Sequence, residues 1–302
     1  MAEIISRGSN FPKIVVDELF NAVQGKSSLA RLSGRRLIPF NGITEYVFTM
    51  DSEVSIVAEN GGKVNGGGAV TPKTVIPIKF EYGMRVSDEF IYGSEDLRLN
   101  HIRAFTEGFA NKIARGIDIA AMHGLNPKSA QASAVVNGND FDDLVTQAVG
   151  TSADINADIE GAVALVEAAN HEVNGVVISP AARAALARLT YNNGGQMYPQ
   201  LAWGNAPENL NGMPFEVNST VDFSSGTNYA YVGNFRDYFK LGYGKDVTFE
   251  VIEYGNPDNN ADLGDLRGHN QVYLRAEAYI GWAILDPTAF ARVDSSVSPT
   301  SI

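Results

Sequence analysis

The stretch from Ile43 to Gly124 constrains this chain more than any other. Two strand patterns flank a glycine-rich segment and run into one long helical period. The first pattern, about Ile43 to Ala58, carries Tyr46 and Phe48, then Val54 and Ile56. The second sets Ile76, Ile78, Phe80, Tyr82, Met84 and Val86 on one side, with Pro77, Lys79, Glu81, Gly83 and Arg85 on the other. Alternation of that length predicts a strand with one covered face. Together the two patterns predict a long hairpin with its tip at Glu59 to Pro72, which holds Gly61, Gly62, Gly66, Gly67 and Gly68. So much glycine means a mobile or unusually turned backbone, not a packed one.

After Gly93 the period changes. Ser94 can cap a helix, and Glu95 and Asp96 sit in its first turn, where the helix dipole favours acids. Ile102, Phe105, Phe109, Ile113, Ile117 and Ala120 then recur at steps of three and four, one continuous apolar stripe. Ended by Gly124, the helix spans roughly 40–45 Å at 1.5 Å per residue. The mean globular helix has about 11–12 residues, so this one reads as a strut. A hairpin of such reach cannot bury itself on its own subunit, which points to assembly more than to catalysis.

The rest reads as a mixed fold. Residues 1–42 mix short apolar and polar runs and suggest an extended arm with a short helix. Between residues 150 and 269, a helix from Ile155 to about Glu172 precedes the buried strand Gly175–Ile178. Ser179 and Pro180 open another helix as cap and first residue. Tyr191 to Asn211 reads as loop, and strands follow at Pro214–Val217, Tyr229–Val232 and Val247–Ile252. Gln271 to Ile284 alternates again, with Val272, Leu274, Ala276, Ala278, Ile280, Trp282 and Ile284 on one face. Phe290 and Val293 close the fold, and Asp294 to Ile302 reads as a flexible tail.

Composition narrows the function. The 302 residues contain no cysteine, which excludes disulfides, thiolate metal sites and a cysteine nucleophile. No apolar run has the length of a signal peptide or a membrane helix, so a soluble, non-exported protein without membrane contact is expected. The net charge of -12 leaves no surplus of Lys and Arg for gripping phosphates. Only residues 1–40 lean basic, with Arg7, Lys13, Lys26, Arg31, Arg35 and Arg36 against Glu3, Asp17 and Glu18. That arm either docks on an acidic neighbour, stays solvated, or touches nucleic acid without regard to sequence.

Catalytic motifs fail on inspection. Gly242-Tyr243-Gly244-Lys245 lacks the spacing of a phosphate loop, and Asp246 stands where Ser or Thr must bind magnesium. Asp258, Asn260 and Asp262 open like a calcium loop, but Leu263 and His269 replace the required glycine and glutamate. His101, His123, His171 and His269 are scattered. No catalytic, cofactor or metal residue is assigned, and no cofactor is expected.

The order of parts resembles one family. Met84-Arg85-Val86-Ser87-Asp88-Glu89-Phe90 before the Ser94 helix is similar to the entry of the spine helix in major capsid proteins of tailed bacteriophages, of the Hong Kong 97 type. Ile113 to Gly124 is similar to the end of that helix, and Gly175 to Arg183 to the opening of the central domain. Leu210–Phe215, Tyr231–Phe235, Val272–Glu277 and Asp286–Phe290 resemble its later strands. The resemblance covers residues 10–293. It implies an α+β Hong Kong 97 type capsid fold: an N-terminal arm (1–42), an extended hairpin loop (43–80), a peripheral domain with the spine helix (81–149 and 270–293), an axial α/β domain (150–269) and a tail (294–302).

The resemblance also implies a function. The chain would be the structural subunit, not an enzyme, of an icosahedral shell around a double-stranded DNA phage genome. Its partners would be copies of itself in hexamers and pentamers, a separate scaffolding protein, a portal, decoration proteins, and packaged DNA in non-specific proximity. It would assemble in the host cytoplasm and end in the virion. Glu59, Gly61, Gly62, Lys63, Gly66, Gly67, Gly68 and Pro72 are the expected assembly residues at the loop. A nanocompartment shell of the same fold, or an α/β enzyme with an ion site at 258–265, are the alternatives. Lys63 and Lys73 could serve a covalent crosslink only with a partner that nothing in the sequence identifies.

Overall fold

The computed structural model describes residues 26–63, 65–89, 95–223 and 226–298. Helix α1 (Ser28–Leu32) and strand β1 (Arg35–Leu37) come first, followed by β2 (Ile43–Met50), β3 (Gly68–Val75) and β4 (Ile78–Ser87). Next is α2 (Glu95–His123), then α3 (Phe141–Leu144), β5 (Ala148–Val149), α4 (Ile155–Ala168), β6 (Gly175–Ile178) and α5 (Pro180–Leu186). A 3-10 turn at Pro199–Gly204 leads to β7 (Asn209–Leu210), β8 (Met213–Val217), β9 (Asn228–Gly233), α6 (Phe235–Tyr238) and β10 (Phe239–Ile252). Strands β11 (Gln271–Ile284) and β12 (Phe290–Asp294) follow.

The strut helix forms as its stripe dictates. Phe105, Phe109, Ile113, Ile117 and Ala120 of α2 are buried. The helix has 29 residues and stops where Gly124 takes a left-handed φ of 64°. A β-carbon at Gly124 would collide with the Asp140 carboxylate, so the stop needs glycine. Ser94, the expected cap, and the side chain of Ile102 lie outside the described residues.

Beneath α2 lies a four-stranded sheet in the order β1-β10-β11-β4. The expected inward face of β11, from Val272 to Ile284, is buried at every position. Phe105 of α2 meets Phe249 of β10 edge to face at 5.3 Å. A six-stranded sheet, β5-β12-β9-β6-β8-β7, carries α4 and α5 over a second core that includes Val166, Ile178, Leu186, Phe215 and Val232. Phe141 joins the two parts, its ring 5.0 Å from Phe290 and 5.5 Å from both Tyr231 and Phe239. Burying a side chain of that size stabilises by about 1.5–3 kcal/mol.

The hairpin differs from expectation. The partner of β2 is β3, not the stronger alternation at 76–86: Ile43 pairs with Val75 and Met50 with Gly68. The hairpin therefore ends at Val75, short of residue 80, and its connecting loop is 51–67. Strand β4, which holds most of that alternation, pairs along its length with β11. Phe80 and Val86 pack on the main core, whereas Ile76, Tyr82 and Met84 remain exposed.

The expected boundary of the 150–269 unit also shifts. Strand β10 begins at Phe239 and belongs to the four-stranded sheet, because β11 needs a hydrogen-bonding partner along all of its length. Strand β12, in turn, lies between β9 and β5 in the six-stranded sheet. Asp294, expected in the tail, is the last residue of β12, and the following Ser295 donates its N–H to Thr227 O at 2.8 Å. Residues 1–25 of the expected arm lie outside the described residues.

Candidate assembly surface

The hairpin owes its chemistry to its register. Residues directly opposite in an antiparallel pair share a face, so Tyr46 and Pro72, Phe48 and Val70, and Met50 and Gly68 form one apolar strip. Every member of that strip is exposed; the Tyr46 side is open at 72%, Phe48 at 59% and Met50 at 74%. The other face packs on the body at its base, where Ile43 and Val75 meet Ile38, Ala283 and Leu285, and beyond that it mixes Val47 and Ala69 with Glu45, Lys73, Thr49 and Thr71. Eight residue pairs extend about 25 Å from that anchor. A two-stranded ribbon of this kind is marginal by itself in water, and long bare edges invite pairing.

The loop beyond the ribbon is built around Asp51. Its carboxylate accepts the Gly67 N–H at 2.8 Å, and its own N–H donates to Gly67 O at 3.1 Å. A β-carbon at Gly67 would strike that carboxylate, and one at Gly68 would press on the Phe48 ring at 2.9 Å. A side chain at either position would therefore push the exposed Asp51 carboxylate or Phe48 ring aside. Gly62 faces open space, so no contact within the subunit demands glycine there.

The structure places Glu59, Gly61, Gly62 and Lys63 in the loop, Gly66 and Gly67 at its return, and Gly68 and Pro72 inside β3. All eight are exposed. Lys63, Gly66, Gly67 and Gly68 share an open cleft of about 590 Å³ with Phe48, Met50, Glu53, Val54 and Val57. Sequence reasoning missed that Met50 and Val70 join Tyr46 and Phe48 on one bare face. The signal was present in the even-numbered positions of 44–50, once 68–75 is recognised as their partner.

A second feature escaped the sequence: the described part of the arm is bolted to α2. Asp118 is fully buried in the helix, and its carboxylate accepts the Ser27 hydroxyl at 2.6 Å, Ser28 N–H at 3.0 Å, Leu29 N–H at 3.3 Å and Asn218 Nδ2 at 2.7 Å. It satisfies the free N–H groups at the start of α1, as a capping carboxylate does. Burial pushes the Asp118 carboxyl up to about 6, against the pull of those four donors. Arg31 of the same arm pairs with Glu216 at 3.0 Å.

The motifs weighed for chemistry are engaged internally. Arg85 takes both oxygens of Asp258, at 2.6 and 2.9 Å, and also binds Asn256 Oδ1 and Gly264 O. A guanidinium thus fills the position that an ion would need. Gly242 to Lys245 lies within β10 at a bulge against β11. His123 sits between Asp142 Oδ2 and Thr220 O, each at 2.7 Å. Both partners are acceptors, an arrangement that favours the ring with both protons. Burial lowers its pKa, but the Asp142 carboxylate and the Thr220 carbonyl outweigh burial and raise it. His171 lies 3.3 Å from Asp286 and 3.1 Å from Thr288 Oγ1. Among the described residues no three His, Asp or Glu side chains gather in metal-binding geometry, and no helix is long and apolar enough to cross a membrane.

Comparison with known proteins adds the family. A family model described as "Phage capsid family" matches residues 12–295. No curated protein matches the chain. Among solved structures, one from Mycobacterium phage Ogopogo is 26% identical with a TM-score of 0.75, covering 89% of this chain and 92% of that one. One from Gordonia phage Cozz is also 26% identical, with a TM-score of 0.71 and coverage of 89% and 86%. The capsid of an empty GTA particle shares the fold at 15% identity, with a TM-score of 0.62 and coverage of 89% and 90%.

Proposed function

The chain belongs to the phage capsid family, and from that premise we propose how its copies hold one another. It is a major capsid structural subunit of the Hong Kong 97 type fold, and it self-assembles into the shell of a virion. In our reading the hairpin β2–β3 lies across a neighbouring copy, which covers the strip of Tyr46, Phe48, Met50, Val70 and Pro72. The observation that carries it is the exposure of that entire strip on one face of a ribbon anchored only at its base. Exposed apolar patches rimmed by polar groups mark interaction sites.

The contact is head to tail, and such contacts close into rings when the rotation allows. Hexamers and pentamers of the shell follow, enclosing double-stranded DNA, with Glu59 to Lys63 of the loop reaching furthest onto the neighbour. Each contact is modest, but every subunit makes several, and together they give avidity. The net charge of -12 keeps the lining from trapping DNA, so contact with the genome is non-specific. Assembly takes place in the host cytoplasm, with a scaffolding protein, a portal and decoration proteins as further partners. Catalysis is not part of this role: the ionisable clusters are engaged within the fold.

Phe48→Lys tests the reading. The subunit is expected to fold with an unchanged melting temperature, and negative-stain electron microscopy of the purified variant shows few closed shells. Wild-type numbers of normal particles would sink the hairpin contact. Nucleic acid inside wild-type shells supports the phage assignment over a protein-filled compartment.

A further inference from the structure

Trp203 stands bare on a rigid turn. Its indole is fully exposed, and its backbone is left-handed, with φ 57° and ψ 28°. A bulky residue seldom takes that conformation. The turn does not yield, because its flanks are fastened. Leu201 is completely buried and its carbonyl accepts Arg183 Nη1 at 2.7 Å. Asn205 Nδ2 donates to Gln200 O at 2.8 Å, and Tyr198 donates its hydroxyl to Asn156 Oδ1. The fold thus holds a large apolar side chain outward that it could have turned in.

The ground around Trp203 is uncharged. From Leu189 to Pro207, between Arg188 and Glu208, there is no Asp, Glu, Lys or Arg, the longest such run in the chain. Its first part is a tight hairpin: Thr190 bridges Gln196, Tyr191 N–H donates to Gly195 O at 2.8 Å, and Met197 N–H to Leu189 O at 2.9 Å. Tyr191 is exposed there as well.

Charge selects the occupant. Two copies that each carry -12 repel one another, and like charges brought together at a contact oppose it. A surface on which neither copy brings a charge is where they can press together without that penalty. Nucleic acid would find no cation on this loop, and a basic protein would find no acid. We propose that Trp203 anchors a contact between neighbouring copies of this chain, its indole packing on the uncharged 189–207 surface of the next copy. The inference rests on the shell reading, and it adds a contact separate from the β2–β3 hairpin. Tryptophan suits the task, since buried anchors of interfaces are enriched in it.

The test compares wild type, Trp203→Ala and Trp203→Phe as full-length chains. Dissociated Trp203→Ala subunits are expected to melt as wild type does, because the residue touches nothing inside the fold. Their shells form at much higher protein concentration, each contact about thirtyfold weaker, the equivalent of about 2 kcal/mol. Trp203→Phe recovers most of the yield. Acrylamide quenching supplies the second readout: the emission lost in Trp203→Phe is quenched in wild-type subunits and protected in wild-type shells. Full shell yield from Trp203→Ala, or equal quenching in shell and subunit, overturns the proposal. Wild type that never forms shells overturns the shell reading and this contact with it. Shells that depend on Phe48 but not on Trp203 overturn this contact alone.

Discussion

Ser27 Oγ donates to Asp118 Oδ1 across 2.6 Å, although the two residues lie 91 positions apart. That bond, with three more on the same carboxylate, ties the start of α1 to the C-terminal part of α2. Removing the carboxylate takes the acceptor from the buried Ser27 hydroxyl and the Ser28 and Leu29 N–H groups, while Asn218 Nδ2 keeps Ser28 Oγ at 2.8 Å. An unsatisfied buried group costs about 1–3 kcal/mol, so Asp118→Ala is expected to destabilise the subunit by about 3 kcal/mol or more. Urea denaturation measures it. Trypsin is expected to cut at Arg31 in the variant well before it does in wild type; equal cleavage would mean that other contacts hold the arm.

Acid is expected to stabilise the free subunit between pH 8 and pH 5. Burial raises the carboxyls of Asp118 and Asp140 to about 6 from 3.8, so across that interval the native state binds protons that the unfolded chain does not. His123 adds in the same direction, because its raised value makes its stabilisation complete below 6.5 and lost as pH climbs through the folded value. Asp142 opposes only in strong acid. Burial alone would raise it, but His123 and Tyr231 hold it below 3.8, so its contribution is lost as pH falls through that lowered value. The gain from Asp118 alone is on the order of 2 kcal/mol. A melting temperature lower at pH 5 than at pH 8 would reverse the assignment, and Asp118→Asn should flatten the rise.

Trp282→Ala is expected to cost about 3–5 kcal/mol. The side chain is buried, and its Nε1 donates to Asn139 O at 2.7 Å while Asn139 Nδ2 returns a bond to Trp282 O at 2.9 Å. Trp282→Phe keeps most of the volume but strands the Asn139 carbonyl, so it falls between wild type and the alanine variant. Thermal melts of the three chains rank them.

Replacing residues 52–66 by a two-residue Asn-Gly turn is expected to leave the subunit folded. Strands β2 and β3 retain their eight pairs, and such a turn matches their twist. Particle yield falls because the reach of the loop is gone. A deletion of 59–72 is a cruder test, for it also removes more than half of β3. Normal shells from the shortened chain would show that the loop is dispensable and the ribbon sufficient.

How much of this was legible follows from what covers each element. Helix α2 and strand β11 were readable almost to the residue, because each presents one face to a core and its sequence shows the period of that face. The Ser179 cap was readable too, with its hydroxyl accepting Ala182 N–H at 3.1 Å. The hairpin was not, since β3 has no covered face along most of its length and so shows no alternation. Strand β4 alternates more strongly, Phe80 and Val86 packing on the core, and drew the pairing to itself. The bulge at Tyr243 and Lys245 hid the first half of β10 by breaking its period. Asp118 and Trp203 carry no local signal: a carboxylate on an apolar face and an indole on a polar loop acquire meaning only from what the fold brings near them, or fails to.

Strand β12 lies between β9 and β5, inside the six-stranded sheet, yet the ribosome makes it after every strand it joins. Until it arrives, β9 has a bare edge and β5 has no strand to pair with, so the sheet is two strands short. An unfinished polypeptide is therefore a poor building block.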